Sequence, residues 1–323
     1  MNDPFSPWEI KRNKTYQTLC VLSEFDYPTI LSTKGTIIAE SKYARVLAHG
    51  NFYVRVSASL VGASLADDLE RGVPPLRERL SVCAKLASQN IPVSLRVQPV
   101  IPGFEEHISE IVREARSAGV RHITAEYLKL PLERSSRQSM VLERLLPGIY
   151  ERYRKLGAKR VGRELVLPST RKIEGLVEFQ RRTRQAGLGY GFADNEFLYL
   201  NPFRSCCNGA DRFLRNARFF EANILGMVKR QYLGSQIRFG LQGGDWLPND
   251  SVFSHLNSRS RGSHQHLSPR ERYIEYLRSK WNGAGIRGGP SDYWGIVDSG
   301  EVDEEGNKVF ALERQCEAAA EAL

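Results

Sequence analysis

The chain contains no run of about eighteen apolar residues, the least that spans a bilayer as a helix, so no membrane-crossing segment is expected. Its opening, MNDPFSPWEIKRNK, lacks the apolar core of a secretory signal, and cytoplasmic location is the expectation. Cysteine is scarce. Cys20, Cys83, Cys206, Cys207 and Cys316 are scattered apart from one adjacent pair, which excludes the disulfide framework of a small secreted domain. There is no internal repeat.

What is present is ordinary in bulk. The 323 residues are 41% apolar and 26% charged, enough to bury a sizeable core in one large domain with additions or in two domains. The informative stretch is Ser94–Glu106. Val93, Leu95, Val97 and Ile101 alternate with Ser94, Arg96 and Gln98, the pattern of a strand with one apolar and one polar face. Pro102-Gly103 breaks that strand. Glu105-Glu106 then open a helix whose positive N-terminus favours acidic side chains. Ile108, Ile111, Val112 and Ala115 supply its inner face, and Gly119 stops it.

The same strand-to-helix step recurs. A helix from Ser6-Pro7 to about Glu24 comes first, with Ser6 as N-cap, Glu9 completing a capping box, and Tyr16, Leu19, Cys20 and Leu22 to bury. Strand Tyr27–Lys34, a helix to about Ala48, strand Asn51–Ser59, helix Leu76–Ser88, the central strand and helix, and strand His122–Leu130 follow, ending at Pro131. Four strands with short connections predict parallel pairing. Three consecutive strands carry polar rows, from Lys34, from Arg55 and Ser57, and from Arg96 and Gln98. A parallel sheet is normally apolar on both faces, so converging polar rows suggest a ligand bearing a carboxylate or phosphate. An edge strand with one wetted face is the alternative, and Arg96 could instead pair with Glu126.

Beyond Pro131 the pattern changes. Residues 135–157 and 172–186 read as basic helices, Gly187–Phe192 as a strand, Cys206-Cys207-Asn208-Gly209 as a turn, and 211–231 as a helix with Phe213, Phe219 and Phe220. Residues 250–270 read as a polar loop, and Lys308–Leu312 closes a hairpin with Tyr293–Val297. The domains expected are 1–132, 133–249 and 250–323. The net charge is +9, and residues 134–185 hold fourteen Lys/Arg against five Glu. Such a concentration is the footprint of a polyanion, or a set of solvated helix faces. Arg152, Arg154, Lys155, Lys159 and Arg160 are the candidate nucleic-acid contacts, with Tyr150 and Tyr153 the main aromatics near them.

Five short motifs give the first 131 residues a family resemblance. They are Asn2-Asp3-Pro4-Phe5, Ser32-Thr33-Lys34, Arg55–Ser59, Val100-Ile101-Pro102-Gly103 with Glu106, and Tyr127–Pro131. In order and spacing they resemble the radical S-adenosylmethionine superfamily, in the branch of spore photoproduct lyase-like proteins and DNA repair photolyase-type relatives. There they correspond to an Asp-Pro turn, a Thr-Lys strand end, a serine-bearing strand, a Gly-x-Ile-x-Gly-x-x-Glu adenine-contact motif with Pro99 in place of the first glycine, and the last barrel strand. The resemblance implies an α/β fold, a partial (βα)6 TIM-like barrel, followed here by a mostly helical extension and a terminal β-hairpin. It implies S-adenosylmethionine and a [4Fe-4S] cluster as cofactors, with Asp3, Lys34, Ser57, Arg96, Ile101 and Gly103 as the cofactor-binding residues. The activity it implies is reductive cleavage of S-adenosylmethionine to start radical chemistry.

One departure stands out. The family's Cys-x-x-x-Cys-x-x-Cys motif is absent, so the cluster ligands are expected to be missing. The chain is expected to be a truncated form lacking the first barrel strands, which a partner chain could supply. Cys206 and Cys207 are the weak metal candidates. His255, His264 and His266 are open to zinc binding or to simple exposure. Asp194-Asn195 read as turn and cap residues. A cluster-free nucleic-acid-binding module and an inactive remnant are the alternative functions.

Overall fold

The computed structural model describes residues 3–61, 63–132, 137–203, 206–217, 223–241, 266–283, 288–314 and 316. The expected features at His255, His264, Phe219, Phe220 and most of loop 250–270 lie outside them. The chain divides into two compact units, Met1–Asp194 with Cys207–Asn216, and Asn195–Cys206 with Ala217–Leu323.

The first unit opens with two helices where one is expected, α1 (Trp8–Arg12) and α2 (Lys14–Glu24), because Asn13 is left-handed at φ 52°. Glu9 does not close a box with Ser6. Its carboxylate instead accepts the backbone N–H groups of Thr15 and Tyr16, each at 2.9 Å, and the Tyr43 hydroxyl at 2.9 Å. The acid thus caps α2 across the break, satisfying donors that a helix start leaves unpaired. Leu19 is buried as expected, while Tyr16, Cys20 and Leu22 are half-buried.

β1 (Thr29–Thr33), α3 (Ser41–His49), β2 (Phe52–Leu60), α4 (Ala63–Leu69), α5 (Leu76–Ala87), β3 (Val93–Val100), α6 (Ile108–Ser117) and β4 (His122–Tyr127) follow. The expected strand to Leu130 splits. Leu130–Pro131 is β5, which leaves the main sheet and pairs antiparallel with β7 (Glu164–Val166), itself paired with β6 (Lys159–Val161). Between them run α7 (Arg137–Leu145) and α8 (Ile149–Lys155). α9 (Ser169–Gln185) then returns to β8 (Gly189–Phe192). β8 pairs parallel with β4, so the sheet has five strands in the order β1-β2-β3-β4-β8, every pair parallel. The boundary expected at residue 132 therefore falls inside the first unit. β8 has the 180° alternation of a strand but only four residues, two of them glycine, too short a signal to join it to β4 from sequence.

Register explains the two faces. Thr33, Val56, Leu95, Ile123 and Tyr190 line up across all five strands, and Ala58, Val97, Ala125 and Phe192 across four. This face is apolar and buried, with α5 packed on β2 and β3, and α9 on β4 and β8. The opposite rows read Ser32, Arg55, Ser94, His122, Gly189 and then Ser57, Arg96, Thr124, Gly191.

In the second unit, 211–231 is not one helix. α10 (Ala210–Phe213, part of the first unit) and α11 (Ile224–Lys229) are separate. A capped helix, Pro269–Trp281, precedes the hairpin of β9 (Ile296–Val302) and β10 (Lys308–Leu312), which forms where expected. Among the described residues no helix is long and apolar enough to cross a membrane.

Candidate functional site

Parallel strands point their carboxyl ends the same way, and ligands of α/β sheets gather there. At that end β1 to β4 deliver a linked set of charges. Lys34 Nζ lies 2.6 Å from Glu70 Oε1, and Arg79 of α5 reaches the other Glu70 oxygen and the Ser57 carbonyl. Glu126 of β4 accepts from Gln98 and from Lys129, each at 2.6 Å, with Arg96 at 3.9 Å. The Arg96–Glu126 pairing raised from sequence is thus present. Burial first, then the charge of Arg55, pulls the Arg96 guanidinium below its ordinary range, partly offset by Glu126. Burial opposes the charge of Lys129, but the Glu126 carboxylate outweighs it and holds the ammonium up. Arg55 donates from Nε to the Ser32 hydroxyl at 3.2 Å. Among the described residues Lys34, Arg79, Arg96 and Lys129 face Glu70 and Glu126 here, an excess of positive charge, and Arg55 lies one row nearer the strand starts, level with Ser94 and His122.

The expected cofactor residues fare differently. Asp3 is spent on structure: its carboxylate accepts from Phe5 N at 2.9 Å and from the Thr33 hydroxyl and Lys34 N at 2.7 Å, pinning the opening turn to the end of β1. Lys34, Ser57 and Arg96 do converge through Glu70, Arg79 and register. Ile101 is fully buried and offers no side-chain surface. Gly103, at φ +89°, is exposed but covered on its Cβ side by Arg152, whose Nη1 would lie 2.8 Å from an added methyl. That same Nη1 donates to the Pro102 carbonyl at 2.8 Å.

Arg152 is therefore committed to the Pro-Gly turn. Lys155 pairs with Glu151 at 2.8 Å, Arg160 donates to the Gly162 carbonyl, and Arg154 and Lys159 are exposed. Tyr150 and Tyr153 are buried, with hydroxyls on the Pro131 and Leu128 carbonyls at 2.8 and 2.7 Å, so they present no ring to a base. They lace α8 onto the strand ends, a role the basic composition hid.

Two features escaped sequence reasoning. Asp194 lies in the bend after β8, and it is more than a turn residue. It is fully buried, pairs with Lys172 at 2.8 Å and accepts Tyr127 N at 3.0 Å. The signal was Lys172 on the apolar stripe with Leu176 and Phe179, as Arg79 sits on that of Leu80 and Cys83. The other is residues 207–216, which return to the polar face near the strand starts. His122 Nε2 donates to the Cys207 carbonyl at 2.8 Å, Tyr53 to the Asn208 carbonyl at 2.9 Å, and Phe213 stacks on Tyr53 at 4.7 Å. Burial drives the His122 imidazole down to about 4. Only glycine fits at 191, since a Cβ there would lie 1.9 Å from the Cys207 oxygen. The expected turn is present, and the segment from Cys207 onward plugs the polar face.

Among the described residues the cysteines do not group together. Cys20 lies on α2, Cys83 is buried in α5 with its thiol pushed up to about 12 by burial, and none of the five is in a disulfide. Among the described residues no three His, Cys, Asp or Glu side chains group as metal ligands. His266 is exposed.

No protein-family model and no curated protein matches the chain. Solved structures to which it is similar include spore photoproduct lyase complexed with dinucleoside spore photoproduct (17% identity, TM-score 0.40, covering 57% of this chain and 54% of that one). Another is Streptococcus suis SuiB bound to S-adenosylmethionine (12% identity, TM-score 0.39, covering 58% of this chain and 38% of that one). Both are radical S-adenosylmethionine enzymes. The chain thus spans about half the length of the lyase it matches.

Proposed function

We propose that the polar carboxyl end of the five-stranded sheet is an S-adenosylmethionine site of the radical S-adenosylmethionine type, belonging to a partial barrel whose cluster ligands this chain does not provide. The observation that carries the reading is the pairing of both charge signs on adjacent strand ends, Lys34 with Glu70 and Gln98, Arg96 and Lys129 with Glu126. A methionyl end carries a carboxylate and an ammonium, and a cation beside a carboxylate suits such a zwitterion. Lys34 and Ser57 face its carboxylate or amine, and Glu126 offers charge compensation to the sulfonium. When bound, S-adenosylmethionine supplies a sulfonium open to reductive cleavage. The electron source for that step does not fit this chain's cysteines, and a partner chain would supply its ligands.

The test is equilibrium dialysis of the full chain with radiolabelled S-adenosylmethionine. Saturable binding, weakened about tenfold or more by Glu126→Gln and by Lys34→Met, supports the site, as loss of a charge-assisted contact costs about 1.5–3 kcal/mol. Binding equal in both variants and the parent refutes it.

A second reading is nucleic-acid binding by the basic segment, favoured by the exposure of Arg154, Lys159 and Arg160 around the β6–β7 hairpin. It would work through phosphate contacts alone, since Tyr150 and Tyr153 are withdrawn.

A further inference from the structure

We infer that Arg55 and Arg96 form an anion subsite for a phosphate or carboxylate group of a second molecule bound beside S-adenosylmethionine. The inference rests on the reading of the sheet end as a ligand site and names the class of its substrate. Arg55 is half-buried on β2, and among the described residues its one bond is to the neutral Ser32 hydroxyl, with no carboxylate in ion-pair reach. Arg96, on the neighbouring strand and the same face, has only Glu126, at 3.9 Å, and that carboxylate already accepts from Lys129 and Gln98 at 2.6 Å. The two guanidinium groups act on each other, since the charge of Arg55 is the next influence after burial on Arg96.

The residues in register with them are short: Ser94 opposite Arg55, and Ser57 and Thr124 on either side of Arg96. At the far ends of these rows the Cys207 carbonyl lies against His122 and Gly191. Two cations half-removed from water, with only the distant and shared Glu126 carboxylate near them among the described residues, are costly unless an anion completes them. Arginine's planar fork meets the oxygens of phosphate and carboxylate two at a time. S-adenosylmethionine is a poor candidate for this pair. Its sulfonium, ammonium and carboxylate sum to one positive charge, and its methionyl end is already matched by Lys34–Glu70. The group that belongs between Arg55 and Arg96 is therefore carried by an anionic co-substrate.

The experiment titrates the full chain with inorganic phosphate, and separately with acetate, at constant ionic strength, by calorimetry with and without saturating S-adenosylmethionine. Phosphate or acetate binding that weakens about tenfold or more in Arg55→Gln and in Arg96→Gln supports the subsite. Whichever anion binds more tightly identifies the group. Arg55→Lys, which keeps the charge but loses the fork, is expected between the parent and Arg55→Gln, and it decides the matter if a glutamine variant does not fold. Arg181→Gln, an exposed residue paired with Glu178, is expected to leave binding unchanged. S-adenosylmethionine binding by Arg55→Gln is expected within about twofold of the parent. Neither anion binding to the parent chain, or binding equal in both glutamine variants, overturns the inference. Anion binding without S-adenosylmethionine binding overturns the cofactor reading and leaves the arginine subsite standing.

Discussion

Replacing Gly191 by alanine tests whether residues 207–216 are a plug seated on the sheet. The backbone at 191 is extended enough for alanine, so the effect comes from contact alone. The new methyl would lie 1.9 Å from the Cys207 oxygen, 2.8 Å from its carbonyl carbon and 3.1 Å from His122 Nε2. Backbone on both sides cannot yield by the ångström or more required, so the 207–216 segment must lift. Lifting breaks the His122–Cys207, Tyr53–Asn208 and Arg215–Asn51 hydrogen bonds and the Tyr53–Phe213 stack. At about 1 kcal/mol for each of these, the destabilisation is about 4 kcal/mol.

The change also has a pH signature. His122 has a folded value of about 4 against an ordinary 6.5, driven down first by burial. Between those values the unfolded chain holds the extra proton, so stability rises with pH. The contribution is complete above about pH 6.5 and lost as pH falls toward 4, about 3 kcal/mol in all. In Gly191→Ala the imidazole meets water and this dependence disappears. Urea unfolding between pH 4 and 7 measures the stability, and an NMR titration of His122 measures the proton directly. A variant with parental stability and a His122 still near 4 would refute the plug.

Other consequences follow from single contacts. Lys172→Met removes the cation beside the buried Asp194 carboxylate, and is expected to cost about 3–5 kcal/mol in urea unfolding, whereas Lys172→Met with Asp194→Leu recovers most of it. Glu9→Ala removes the cap across the Asn13 break and is expected to lower stability by about 1–2 kcal/mol, with faster amide exchange at Thr15 and Tyr16. If the basic segment grips duplex nucleic acid, the combined Arg154→Gln, Lys159→Gln, Arg160→Gln variant is expected to reduce the slope of log binding against log salt by about 2–3. An unchanged slope rules out those three contacts.

The sequence by itself determined the parallel α/β core and much of what lines it. Alternation at Phe52–Ser59 and Val93–Val97 reports which side chains share a face, because strand period and register follow from local backbone geometry. The polar row of Lys34, Arg55, Ser57, Arg96 and Gln98 was legible for the same reason, as was the terminal hairpin closed by Lys308–Leu312. What only the tertiary structure decided is which partners those side chains meet. Glu70 and Arg79 take up Lys34 and the Ser57 carbonyl across gaps of 36 and 22 residues. Lys172 neutralises Asp194, Arg152 closes over Gly103, and the Cys207 carbonyl packs against Gly191. Charge and size can be read along a chain, but whether a cation is spent on a neighbour or left facing a ligand depends on distances between segments that no local pattern encodes. Arg55 and Arg96 share one polar face in the sequence, and only the fold shows that, among the described residues, Arg55 has no carboxylate in reach and Arg96 shares a distant one.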